Sequence, residues 1–254
     1  MKVSRRAGSC LLGCLASVFG VTALGAAEPS GIAVAVIQSA DVDGATGKLV
    51  IQPQGPLYSG DRINTGAIGE VQVRFRDDTK LVVGPNSSMV IDAFVFNDNS
   101  TARQVSINAV KGAFRFITGN SVKDAYTIAT PTATIGVRGT AFDVSVDPQD
   151  GTTYLAQLEG KTIFCPRRGN ENVDKKKRKG CVVTTAGCAI FVAGRDKDPK
   201  KLESAADRNL AIRRNFRYVR NQRSLLAGFR LDVSACGASQ LPLIPFLPPP
   251  QISP

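Results

Sequence analysis

Residues 70–83 read "EVQVRFRDDTKLVV", and the alternation in their first half sets the fold class. Successive residues of a strand point to opposite sides. Val71, Val73 and Phe75 therefore share one face, and Glu70, Gln72 and Arg74 the other. "RDDT" is a turn, and "KLVV" returns as a second strand. The same grammar extends both ways. Upstream lie "GIAVAVIQ" (31–38), "GKLVIQP" (47–53) and "SGDRINTG" (59–66). Downstream come the turn cluster "GPNSS" (84–88), "MVIDAFVF" (89–96) and "ARQVSINAVKGAFRFITG" (102–119). Short strands with recurrent turn signals, running to about residue 193, predict a mainly β domain of sandwich, barrel or solenoid type.

One strand-like run is unusual. "TIGVRGTAFDV" (134–144) carries two glycines and an arginine among β-formers. Glycine weakens a strand interior and usually marks a bulge or a bend. Gly136 and Gly139 are expected to permit a corner, and Arg138 to fix it by reaching a buried carboxylate, with Asp143 or Asp61 as candidate partner.

Past the β region the character changes. Residues 195–230 are expected to form a basic helix of six to eight turns. Leu202, Ala206, Ile212, Phe216, Val219 and Leu226 lie near one of its faces, and Arg213, Arg214 and Arg217 mostly off it. Its apolar side is expected to cover the β domain. Residues 231–254, ending "LPLIPFLPPPQISP", form a proline-rich tail expected to be disordered.

Charge divides the chain. Residues 28–160 hold 10 basic and 14 acidic residues, and residues 161–254 hold 19 and 7. Such asymmetry suggests an interaction tail or a basic face. Its densest point is Lys175, Lys176, Lys177, Arg178 and Lys179, inside a charged hairpin at 165–181.

The first 27 residues resemble an export signal: Lys2, Arg5 and Arg6, an uncharged apolar run, then Gly25-Ala26-Ala27. Cleavage near Ala27 and a periplasmic or otherwise exported location are expected, with an uncleaved anchor as the alternative. Removal of the signal takes Cys10 and Cys14 with it. Cys165, Cys181, Cys188 and Cys236 remain, and an even number in an exported chain suggests disulfides. Sequence leaves three pairings open. Cys165 with Cys181 is favoured because both flank the charged loop, which leaves Cys188 with Cys236.

The chain has no histidine. That removes the commonest general base and metal ligand, and with them Ser-His-Asp and Cys-His catalysis. "GVRGTAF" lacks the Lys-Ser/Thr of a phosphate loop. No catalytic residue, cofactor site or metal site is expected.

Two separated motifs carry a family resemblance. Residues 58–92 resemble the core of the FecR domain family at Gly60, Asp61, Ile63, Thr65, Gly66, Phe75, Asp77, Leu81, Pro85, Ser87 and Ser88. "TPTATIGVRGTAFDVSVD" (130–147) resembles its closing segment, including Gly136, Arg138, Gly139 and Phe142. The resemblance covers roughly residues 55–150. It implies a β-rich, solenoid-like domain in the bacterial periplasm, in a family whose known members relay signals to a sigma factor. Only about six residues precede the apolar run, so no sigma-binding region is expected. The whole reads as a FecR-like β domain over 28–194 with a covering helix. Its expected role is a non-enzymatic binding, scaffold or signal-accessory module whose partner is another envelope protein. The alternative is a tether that grips anionic lipid or cell-wall polymer through the basic loop and helix; nucleic acid is not an expected partner.

Overall fold

The structure is a computed structural model that describes residues 28–96, 102–122, 125–167, 180–185 and 187–237. The expected signal peptide, the basic run at 175–179 and residues 238–254 of the tail lie outside the described residues.

The alternating stretch forms the hairpin it predicts. Strands β6 (Glu70–Phe75) and β7 (Lys80–Val83) pair antiparallel, with Val73 opposite Leu81. Asp77 fixes the turn between them. Its carboxylate accepts from the Thr79 amide at 3.0 Å, Ser121 Oγ at 2.6 Å and Tyr126 Oη at 2.7 Å. On the other side of β6 lies β1 (Gly31–Ile37), which carries β4 (Pro56–Leu57) at its edge.

Three long strands build the rest: β9 (Ala102–Ile117), β11 (Ala133–Val146) and β12 (Thr153–Pro166). Each bends once and changes neighbours at the bend. The first half of β9 pairs with β8 (Ser88–Phe96) and, in parallel, with β10 (Tyr126–Ala129); its second half pairs with β7 and β11. The first half of β12 pairs with β14 (Ala189–Ala193), and its second half with β13 (Val182–Thr185). The strands β2 (Ala40–Gly44), β3 (Gly47–Val50) and β5 (Arg62–Thr65) extend the sheet from β8, and β15 (Lys200–Lys201) ends it beyond β14. Fifteen described strands thus join in one sheet, whose main apolar cluster is flanked by two smaller ones beneath the C-terminal segment. Phe75, Leu81, Phe116, Ile63, Ile107 and Ile135 belong to the main cluster. The mainly β class is as expected.

The bends answer the glycine question differently from the sequence. Gly136 sits in regular pairing with Thr127 and Ile163, and an added Cβ would meet nothing closer than 3.9 Å. The corner belongs to Gly139 (φ 59°) and to Gly160 of β12 (φ 66°). An ideal Cβ on Gly160 would stand 2.1 Å from the Gly139 carbonyl oxygen, so the crossing of the two bent strands leaves no room for a side chain there.

The C-terminal region corrects a second expectation. No single helix spans 195–230. Helix α1 runs Ala205–Asn215, capped by Ser204 accepting from the Asp207 amide, and a single turn, α2, covers Arg217–Arg220. Phe216 breaks them apart at φ −114°, ψ 79°. The chain then runs largely irregular to two 3₁₀ turns, Ala227–Phe229 and Ser234–Cys236. Its job explains the break. The Ser224 carbonyl accepts from Gln72 Nε2 at 2.9 Å, and the Leu226 amide donates to Gln72 Oε1 at 2.9 Å. A continuous helix would consume these backbone groups internally. Ile212, Phe216 and Val219 pack on Ala156 and Ile190, while Tyr218, Leu225 and Phe229 pack around Val82, so the segment straps one outer face of the sheet.

Both disulfides have the favoured pairing, Cys165–Cys181 and Cys188–Cys236. Among the described residues no helix is long and apolar enough to cross a membrane.

Candidate functional site

The hairpin of β2 and β3 has a two-residue link, Ala45-Thr46, between Gly44 and Gly47. In such a hairpin the flanking pair exchanges hydrogen bonds, and the bonding then alternates along the strands. Gly44/Gly47 and Val42/Leu49 are accordingly bonded pairs, and the Ile51 amide continues the series to the Ala40 carbonyl at 3.0 Å. It follows that the amides and carbonyls of Lys48 and Val50 point away from β2. Nothing pairs with β3 on that side among the described strands.

The same edge is apolar. The register places Met89, Ile63, Val42 and Leu49 opposite one another across β8, β5, β2 and β3. Met89 and Ile63 are fully buried, Val42 is half-buried, and Leu49 is 55 % exposed. The core row therefore runs out of the molecule at β3. Val50 is 69 % exposed beside it. A groove of about 290 Å³ lies there, lined by Val42, Leu49, Ile51, Leu57, Tyr58 and Asp61 among others. Exposed apolar edges can template pairing with another chain, and they are normally blunted by shortness or charge; β3 is four residues long. Here Lys48, in an exposed pair with Asp41 at 3.3 Å, is the one charge on the edge strand.

Of the motif residues, Asp61 reaches this groove and its neighbours support it from behind. Asp61 lines it and accepts from the Tyr58 amide at 2.8 Å; burial pushes its carboxyl above the usual range, with that hydrogen bond opposing. The Gly60 amide (φ 93°) donates to the Ile91 carbonyl at 2.7 Å. Thr65 Oγ1 donates to the Gly84 carbonyl at 2.6 Å and accepts from the Ser87 amide at 2.9 Å. The Gly66 amide donates to the Ser39 carbonyl at 3.0 Å. These residues brace the turns that hold β5 beneath β2. Phe142 lies in the core against Phe116, ring centroids 5.4 Å apart.

One of the two carboxylates considered for Arg138, Asp143, has another cation beside it. The Arg138 side chain lies outside the described residues. Asp143 is held instead by Arg115, Nε to Oδ1 at 2.7 Å and Nη2 to Oδ2 at 2.9 Å. Arg115 Nη1 also donates to Gln222 Oε1 and, at 3.4 Å, to the Phe229 carbonyl, so the strap completes this cluster. Desolvation pushes Asp143 up, and the guanidinium pulls the other way. Of the basic residues singled out, Arg213 and Arg217 are half-buried in the helical segments and Arg214 is exposed. They do not converge on the groove.

Among the described residues no three His, Cys, Asp or Glu are placed to hold a metal ion, and every buried side-chain nitrogen and oxygen has a partner. The groove offers apolar surface and backbone hydrogen bonds, the equipment of a peptide-docking edge.

The model of the FecR protein family matches residues 61–162, from the groove-lining aspartate through the second half of β12. No curated protein matches the chain in sequence. Two crystal structures of a candidate anti-sigma factor from Parabacteroides distasonis ATCC 8503, at 1.65 and 2.50 Å resolution, are similar at 13 % identity, with TM-scores of 0.43 and 0.42. Each likeness covers 60 % of this chain and 64 % of the other, so the chain spans under two thirds of those neighbours' length.

Proposed function

Residues 61–162 are a FecR domain, and from that premise we propose that this chain is a non-enzymatic signal-accessory module of the cell envelope. It receives an extended segment of a partner protein as an added strand on β3. The observation that carries this is the unfinished row: Met89, Ile63, Val42 and Leu49 step from buried to exposed, and no described strand occupies the next position. An added strand would bond the outward groups of Lys48 and Val50, and its alternate side chains would extend the row into the groove. The export signal expected from residues 1–27 is the ground for seeking the partner outside the cytoplasm.

The rival tether reading needs a free amphipathic face. Ala211, Ile212, Phe216 and Val219 are already buried against the sheet, so grip on lipid or wall polymer would rest on charge and fall steeply with salt.

The test is Val50→Pro. Proline on an edge removes the outward donor but leaves the bonds from β3 to β2 intact. Envelope crosslinking from the native host should lose its protein adduct in this variant at unchanged thermal stability. An adduct that survives, or one that is lipid and salt-sensitive, would turn the assignment to the tether.

A further inference from the structure

The Cys188–Cys236 disulfide has access that its low exposure conceals. A cavity of about 530 Å³ opens onto both of its cysteines. Lys201 and Arg208 line the same cavity, and none of the described lining residues is acidic. Both cationic side chains are held beside it: Lys201 Nζ lies 3.1 Å from Glu203, and Arg208 Nη1 donates to the Glu203 carbonyl at 2.9 Å. Gly187 and Gly237, each adjacent to one cysteine, stand on the rim, and a side chain at either would meet nothing within 4 Å. Among the described residues the rim beside both cysteines is therefore open, and the lining carries two cations, Lys201 being paired with Glu203 and Arg208 held by the Glu203 carbonyl.

The geometry points to a thiol–disulfide exchange site: a thiolate reductant enters this cavity, opens Cys188–Cys236 and frees the C-terminal strap from its covalent hold. In the first step the thiolate forms a bond to one sulfur, the Cys188–Cys236 bond breaks, and the displaced cysteine thiolate takes up a proton. A second thiol, of the same dithiol or of another molecule, attacks the mixed disulfide and releases the second cysteine. Two electrons pass to the protein, and the reductant leaves as a disulfide. Lys201 and Arg208 favour both the incoming thiolate and the thiolate that is expelled. The bond joins the turn before β14 to the end of the strap, 48 residues away. Its opening leaves Leu231 and Val233, packed beside it, without a covalent anchor.

The test uses the full chain, two monothiols of opposite charge and mass-spectrometric counting of alkylated cysteines. 2-Mercaptoethanesulfonate should open Cys188–Cys236 without denaturant, and tryptic cleavage after Arg230 should rise with it. A Lys201→Gln/Arg208→Gln variant should react with this anion about threefold more slowly or worse, the size of a screened charge contact. Its rate with cationic cysteamine should not fall. Unfolding curves of the oxidised variant, matching those of the parent, show that the fold is intact. A bond that opens only in denaturant would overturn the proposal, as would equal slowing with both thiols. Because the readout is chemical, neither result bears on whether β3 binds a partner.

Discussion

Arg115 is a buried cation whose carboxylate partner comes from β11 and whose amide partner comes from the strap. Removing one member of such a pair leaves the other charge stranded away from water. Arg115→Met or Asp143→Ala should cost about 3–5 kcal/mol in urea unfolding, whereas replacing both with apolar residues should cost clearly less. Asp61 acts in the opposite sense. Burial raises its folded pKa above the unfolded one, so the fold prefers the neutral carboxyl. That preference is fully present below its unfolded value of about 4 and is lost as pH rises through the raised value. Asp61→Asn keeps an acceptor for the Tyr58 amide. Its melting temperature should therefore exceed the parent's at pH 7, with the gap closing below about pH 4. Asp61 was legible in sequence as part of a motif. Arg115 was not, because "GAFRFIT" alternates like a strand with one face in water. Nothing local says that residues 222 and 229 will cover that face.

At the scale of elements, the hairpin of β6 and β7 was readable because period-two alternation and a turn are local signals. The same reading places Glu70 and Gln72 opposite the core face, and there they lie, yet both are buried. Tyr218 Oη and Ser224 Oγ each donate to Glu70 at 3.0 Å beneath the strap. The strap itself misled because helical spacing of apolar residues suits any surface that accepts them at that interval. A broad sheet with polar side chains to satisfy selects a broken segment instead. The long strands hid their corners for a related reason: Gly160 looks like any strand glycine until β11 is laid against it. Gly160→Ala combines a left-handed backbone with a clash against Gly139 and should cost about 2–4 kcal/mol, read as a lower denaturant midpoint. Cys236→Ser reopens a 48-residue loop and should cost up to about 4 kcal/mol in the loop-entropy account, also read by urea unfolding.

For the molecule as a whole, the strap and the β3 edge divide the work. The strap covers one outer face and buries Ala211, Ile212, Phe216 and Val219 of the basic segment, while Leu210 and Leu226 stay exposed. Among the described strands the edge at β3 remains unpaired, across the groove from Asp61, where the match to the FecR family model begins. Sequence conveyed the class and the motif whose Asp61 lines the groove, since both rest on local patterns. It did not convey the groove, which exists because the Met89-to-Leu49 row runs past the last strand. The most direct measurement is amide hydrogen exchange of Lys48 and Val50 in the full chain, alone and with the protein captured by envelope crosslinking. Strand addition predicts that both amides exchange freely alone and become protected in the complex, while the Leu49 amide, already bonded to β2, changes little. Unchanged exchange at Lys48 and Val50 in a saturated complex would show that the partner binds elsewhere and would contradict the account.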